Sequence, residues 1–140
     1  MMDDRIRRAQ AAEACRQRFY GKAYDPGVRD CVKLATHALM KMGHGAGPVK
    51  GLRYSTEAAG YRLLLKAGFK SLPEALDAMG LPRIAPAAAL QGDLIAMDAG
   101  EDSPFGASMM VAMSDGLVLG FSGGICSTWR PLAYQAAWRL

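Results

Sequence analysis

Hydrophobic residues recur at helical spacing up to about residue 80 and gather into short apolar runs after residue 92. In residues 3–20, Ile6, Ala9, Ala12, Cys15 and Phe19 give a thin apolar stripe, which predicts a first helix. Asp3 and Asp4 complement its dipole, and Arg5, Arg8, Arg16 and Arg18 surround the stripe as a solvated basic face. Gly21 to Gly27, with Asp25-Pro26-Gly27, reads as a turn. The next helix is the best marked. Cys31, Leu34, Ala35, Ala38, Leu39 and Met42 form one stripe, and Lys33, His37 and Lys41 form the opposite one, expected to face water. Asp30 suits its N-cap, and Gly43 stands where a helix C-terminus favours a left-handed residue.

Gly43 to Pro48 is too rich in glycine for regular structure and reads as a mobile loop. It lacks the Lys-Ser/Thr ending that a phosphate-binding P-loop needs. Ser55 or Thr56 caps a third helix running to about Lys66, and Ser71-Leu72-Pro73-Glu74 is a capping box that opens a short fourth helix closed by Gly80. Leu81 to Pro86 is expected to be extended. From Gly92 the texture changes to strands at 93–97, 108–113 and 117–121, the last two joined by the tight turn Ser114-Asp115-Gly116. Further strands are expected within Ile125 to Trp129 and Ala136 to Leu140. Helices followed by a meander of short strands predict an α+β fold, with an antiparallel sheet packed on the helices.

A length of 140 residues suits a single domain, 1–140, with a real core. No apolar run approaches the length of a membrane span, and the charged start Met1-Met2-Asp3-Asp4-Arg5 has no apolar signal core, so synthesis in a cytoplasm is expected. The net charge of +4 is a mild excess. No lysine and arginine cluster is interleaved with aromatic residues, which argues against nucleic acid as a partner.

Candidate chemistry centres on Cys31. A thiol in the first turn of a helix stands near the positive end of the dipole, which lowers its pKa and favours the thiolate. The competing reading is a small packed hydrophobe, which its place on the apolar stripe supports. Cys15, Cys31 and Cys126 are odd in number and lack metal-ligand spacing, so neither a disulfide framework nor a zinc site is expected. Asp93, after Gly92, is expected to accept backbone hydrogen bonds where its strand begins. Met109, Met110 and Met113 read as core, whereas Trp129 and Trp138 suit either an interface anchor or the core.

Three features fall in a distinctive order: Asp30-Cys31 opening an apolar helix, Gln91-Gly92-Asp93-Leu94-Ile95 running into a strand, and a strand-turn-strand around Asp115-Gly116. This order resembles the NlpC-type cell-wall peptidases, a branch of the papain-like fold. Arg53-Tyr54-Ser55-Thr56 and the ending Ala137-Trp138-Arg139-Leu140 are similar to segments of a small offshoot of that family found in tailed phages and prophages. The likeness covers roughly residues 24–140. It implies a papain-like, NlpC-type fold, no cofactor and no metal.

The family mechanism implied is a thioester route, with Cys31 at the nucleophile position and a histidine at the start of the strand before Asp115-Gly116. That position falls at about Ser108, with Ala107 and Met109 beside it, and none is a histidine. His37 lies about 240° around the helix from Cys31, and His44 about 20 Å along it. The resemblance thus implies a peptidase scaffold without its general base. The expectation from the resemblance is a structural or assembly protein of a phage tail tip or baseplate. It would be carried in the virion, with other tail proteins (hub or baseplate) as partners and a possible contact with peptidoglycan. The alternatives are an active cysteine peptidoglycan hydrolase or amidase used in cell-wall penetration, and a tail chaperone absent from the finished particle.

Overall fold

The computed structural model describes residues 3–45, 49, 51–98 and 105–140. Among these, four α-helices come first: α1 (Asp4–Phe19), α2 (Cys31–Lys41), α3 (Glu57–Lys66) and α4 (Leu72–Ala78). Six strands follow: β1 (Arg83–Ile84), β2 (Leu94–Met97), β3 (Ser108–Ala112), β4 (Val118–Ser122), β5 (Ile125–Trp129) and β6 (Ala136–Trp138). The fold is α+β, and its antiparallel sheet has the order β1-β6-β2-β3-β4-β5.

The helix starts carry the chemistry that the sequence places there. Asp30 accepts from the Lys33 N–H at 2.8 Å, Thr56 from Ala59 at 3.1 Å and Ser71 from Glu74 at 3.2 Å. Beyond α2, Gly43 is left-handed at φ 87°, and the His44 N–H closes the last turn on the Leu39 carbonyl at 2.9 Å. The loop expected after Gly43 extends over residues 46–48, which lie outside the described residues.

Strands β2 to β5 form the expected meander. Asp115 turns the chain between β3 and β4 at φ 59°, a conformation that aspartate tolerates. Gly123 and Gly124, at φ 64° and 83°, supply the two positive angles needed between β4 and β5. The last strand returns across the molecule. Strand β6 inserts between β1 and β2, with Trp138 opposite both Arg83 and Leu94. The stretch expected only to be extended thereby gains an edge strand.

Helix α2 packs on β3, and α1 packs on α2. One sheet face, with Leu94, Ala96, Met109, Val111, Leu119 and Trp138, meets the helices to form the main core. Ile95, Met110, Ala112, Val118 and Ala137 make a smaller cluster on the other face, flanked by Ile84, Ala89, Met97 and Trp129. Trp138 is fully buried, its indole N–H donating to Asp77 at 2.8 Å, so it is a core residue and leaves no anchor for an interface. Trp129 is half-buried.

The stripe of α1 differs from expectation. Ile6 is 53% exposed and Ala9 faces outward, whereas Arg8 and Ala11 turn inward beside Ala12, Cys15 and Phe19. The cause is a buried partner for Arg8. Its guanidinium reaches Asp93 at 2.7 Å and Asp4 at 2.8 Å, so a residue expected on the solvated face sits inside. Among the described residues, no helix is long and apolar enough to cross a membrane.

Candidate functional site

Asp30 is extended, at φ −146° and ψ −178°, and Cys31 is the first residue of α2. Its thiol is 7% exposed and packs in the main core with Met109 and Val32. Burial, then the carboxylate of Asp30, push its pKa up to about 12, with Glu57 adding to the effect. The backbone N–H groups of Met109 and of Cys31 itself pull the other way. This reverses the expectation of an accessible thiol with a lowered pKa. Removing a small anion from water and placing it beside a carboxylate outweighs the attraction of a helix dipole. The thiol is therefore held in its protonated form at neutral pH.

Asp30 organises the surroundings. Fully buried, it accepts from the Gly27 N–H at 2.8 Å, the Lys33 N–H at 2.8 Å and the Tyr54 hydroxyl at 2.6 Å. The chain can pass here only because residue 27 is glycine. Its φ is 82°, and a Cβ on it would lie 1.7 Å from the Tyr54 carbonyl oxygen. Lys33 leans the same way, with its ammonium donating to the Leu52 carbonyl at 2.6 Å and lying 5.2 Å from the centre of the Tyr54 ring. A second phenol, Tyr24, donates to Glu57 in the first turn of α3. Burial, and then these hydrogen bonds to carboxylates, raise the pKa of both tyrosines. The thiol is thus enclosed by two phenols and two carboxylates.

No imidazole joins this cluster among the described residues. His37 lies on the α1 side of α2, with its ring 5.8 Å from that of Phe19 in an edge-on contact. Burial, then Arg18 and Lys41, hold its pKa below the ordinary value. His37 and Lys33 are half-buried, not turned fully to water as their stripe predicts, because α1 and the 52–54 segment cover that side. His44 follows the C-terminal end of α2 and is half-exposed.

Ser108 does not face the thiol. It lines a cavity of about 320 Å³ on the far side of the sheet, with Met97, Asp98, Met110, Phe121, Ser122 and Trp129. Side chains alternate along a strand, so a count that is one residue out lands on the opposite face. The residue of β3 in the core with Cys31 is Met109, fully buried. Ser108, the position expected for the base, therefore lies across the sheet from the thiol.

Asp93, also fully buried, accepts from the Leu90 N–H at 2.8 Å, the Leu140 N–H at 2.9 Å and Arg8 at 2.7 Å. Arg139 stands 3.5 Å away. These bonds fasten α1 and the last residue to the start of β2, a structural task. Cys15, Cys31 and Cys126 are free and buried; burial is the main cause that raises Cys15 to about 12 and Cys126 to about 11. Among the described residues, no group of three or more His, Cys, Asp or Glu could hold a metal ion.

Sequence reasoning missed Tyr24, Glu57 and Arg8. Tyr24 and Glu57 meet across 33 residues, a pairing that no local spacing announces. Arg8 carried a signal, since it falls four residues before Ala12 on the buried face, but its charge argued against burial.

Fold and site together define an α+β domain that buries a protonated thiol at the start of its central helix. The chain belongs to a family described as a domain of unknown function, DUF6950, whose family model matches residues 4–140. No curated protein and no solved structure matches it.

Proposed function

We propose that the chain is a structural or assembly component of a phage tail tip or baseplate, built on a papain-like, NlpC-type scaffold that has lost its general base. It acts by binding other tail proteins (hub or baseplate) in the virion, with peptidoglycan as a further contact surface. One observation carries this reading. A cysteine opens the helix that crosses β3, as in the peptidases, but the β3 residue in the core beside it is Met109, and its charged neighbours are the carboxylates Asp30 and Glu57. A thioester mechanism needs a base within hydrogen-bond reach of the sulfur. Two phenol-carboxylate pairs and a high thiol pKa make the site a packed joint between α2, α3 and the sheet.

The test has two arms. Purified protein and its Cys31→Ala variant are treated with a thiol-reactive probe at pH 7 and incubated with muropeptides. Slow labelling and intact muropeptides are expected. Rapid labelling that depends on Cys31, together with cleavage, would establish the hydrolase alternative. In the second arm, purified virions are analysed by mass spectrometry. The chain is expected in the particle, and its absence from virions would overturn the structural role in favour of a tail chaperone.

A further inference from the structure

Between α1 and α2 lies a cavity of about 430 Å³ lined by Arg18, Lys33, Thr36, His37, Met40 and Lys41. Its wall holds three permanent cations and an imidazole, with no carboxylate. Arg7, Arg8, Arg16 and Arg83 each have a carboxylate within 2.8 Å, whereas Arg18, Lys33 and Lys41 form no ion pair among the described residues. Like charges gathered in a concavity focus a positive potential.

The arrangement follows from helix geometry. Lys33, His37 and Lys41 stand on successive turns of α2, a line about 12 Å long. Arg18 faces them from the last turn of α1. The Lys33 ammonium is held by the Leu52 carbonyl and the Tyr54 ring, so it adds positive potential from the cavity's edge, and the Thr36 hydroxyl is committed to the Val32 carbonyl at 2.8 Å. Arg18 and Lys41 also complement the dipoles of their helices, but that role does not account for Lys33 and His37 on the same wall. Phe19 closes the His37 ring from the side; burial first, then Arg18 and Lys41 as positive neighbours, disfavour its protonated form, and the Ala14 backbone opposes them.

We propose that this cavity binds an oligophosphate, a small anion with several phosphate charges, held by Arg18 and Lys41 against His37, with Lys33 adding positive potential from the edge. A single phosphate meets too few of these cations at once, whereas a chain of three phosphates, reached by the flexible side chains of Arg18 and Lys41, engages them together. The same group could arrive free or as part of a nucleoside triphosphate.

The experiment follows the His37 ring proton by NMR titration at low ionic strength, with and without millimolar tripolyphosphate. The midpoint is expected to rise by at least one pH unit, which by linkage is about tenfold tighter binding to the protonated form. Affinity is measured by calorimetry for wild type and for an Arg18→Ala/Lys41→Ala variant, both positions being exposed. A loss of about 100-fold is expected, with an unchanged far-ultraviolet spectrum. Orthophosphate should bind at least tenfold more weakly. A nucleoside triphosphate matching tripolyphosphate supports recognition of the phosphates alone, and tighter binding supports an added contact to the nucleoside. Absence of a His37 shift, an equal shift from sodium chloride of the same ionic strength, or full affinity in the double variant overturns the proposal. Single-stranded DNA binding tenfold more tightly per phosphate would overturn the small-ligand assignment in favour of nucleic acid.

Discussion

Replacing Arg8 by alanine tests the account of α1 most directly. Arg8 is 5% exposed and reaches Asp93 at 2.7 Å, with the Gln91 and Leu140 carbonyls each at 3.2 Å. Without it, Asp93 stays fully buried and loses its nearest cation. Removing one partner of a buried pair costs about 3–5 kcal/mol, chiefly because the other charge is left uncompensated. Asp93 would keep the Leu90 and Leu140 N–H groups, and Arg139 stands at 3.5 Å, so the lower end is expected, about 3 kcal/mol. For a domain of this size that corresponds to roughly 10 °C in Tm. The assay is urea unfolding followed by circular dichroism, with the slope unchanged from wild type. Arg16→Ala is the control, since it opens an exposed pair with Glu13 at 2.5 Å and should leave the midpoint where it was. A double variant, Arg8→Met with Asp93→Leu, buries no charge but leaves the Leu90 and Leu140 N–H groups without their acceptor, so it should recover at most part of the loss. If Arg8→Ala unfolds at the same urea concentration as Arg16→Ala, the buried-pair account of α1 is wrong.

Three further outcomes follow from the thiol site and the α1–α2 contact. Asp30→Asn keeps an acceptor for the Lys33 N–H but removes the negative neighbour that, after burial, most raises Cys31, so the thiol pKa falls and labelling at pH 9 speeds up several-fold; an unchanged rate refutes that electrostatic role. Gly27→Ala must push away the Tyr54 carbonyl and adopt φ 82°, costing at least about 1–2 kcal/mol and exposing Cys31 to faster labelling; stability and labelling both equal to wild type would refute the packing described. His37 has a folded pKa below its ordinary 6.5, so the unfolded chain takes up the proton first as pH falls. The fold therefore loses stability between pH 7 and pH 5, and His37→Gln should flatten that slope in urea unfolding; an equal slope in the variant refutes it.

The elements that a short window can specify were legible in the chain. Asp30, Thr56 and Ser71 mark helix starts because a cap needs one side chain near its own backbone. The meander from β2 to β5 follows from local turns at Asp115 and Gly123-Gly124. What stayed hidden depends on distant partners. Strand β6 slots between β1 and β2 across some forty residues of intervening chain, and no pattern within Ala136–Trp138 announces it. Arg8 is buried because Asp93, 85 positions later, is waiting for it. The thiol was legible in position but not in chemistry. Its place in the first turn of α2 is a local fact, whereas its enclosure by Tyr24, Tyr54 and Glu57 is a tertiary one.

That enclosure accounts for a thiol pKa well above the ordinary value. A helix that starts at Cys31 requires an N-cap, and Asp30 fills that role while also holding Gly27 and Tyr54. The same carboxylate then acts on the sulfur through its charge and, after burial, disfavours its anion. A nucleophile in that place would need a cation to offset it. The nearest candidate on α2 is Lys33, and its ammonium is drawn to the Leu52 carbonyl and the Tyr54 ring. Placing an imidazole at residue 109 would therefore not create a catalyst, because the new base would meet a thiol that burial and Asp30 hold protonated. The capping and packing that fix α2 against β3 are the same interactions that suppress the chemistry.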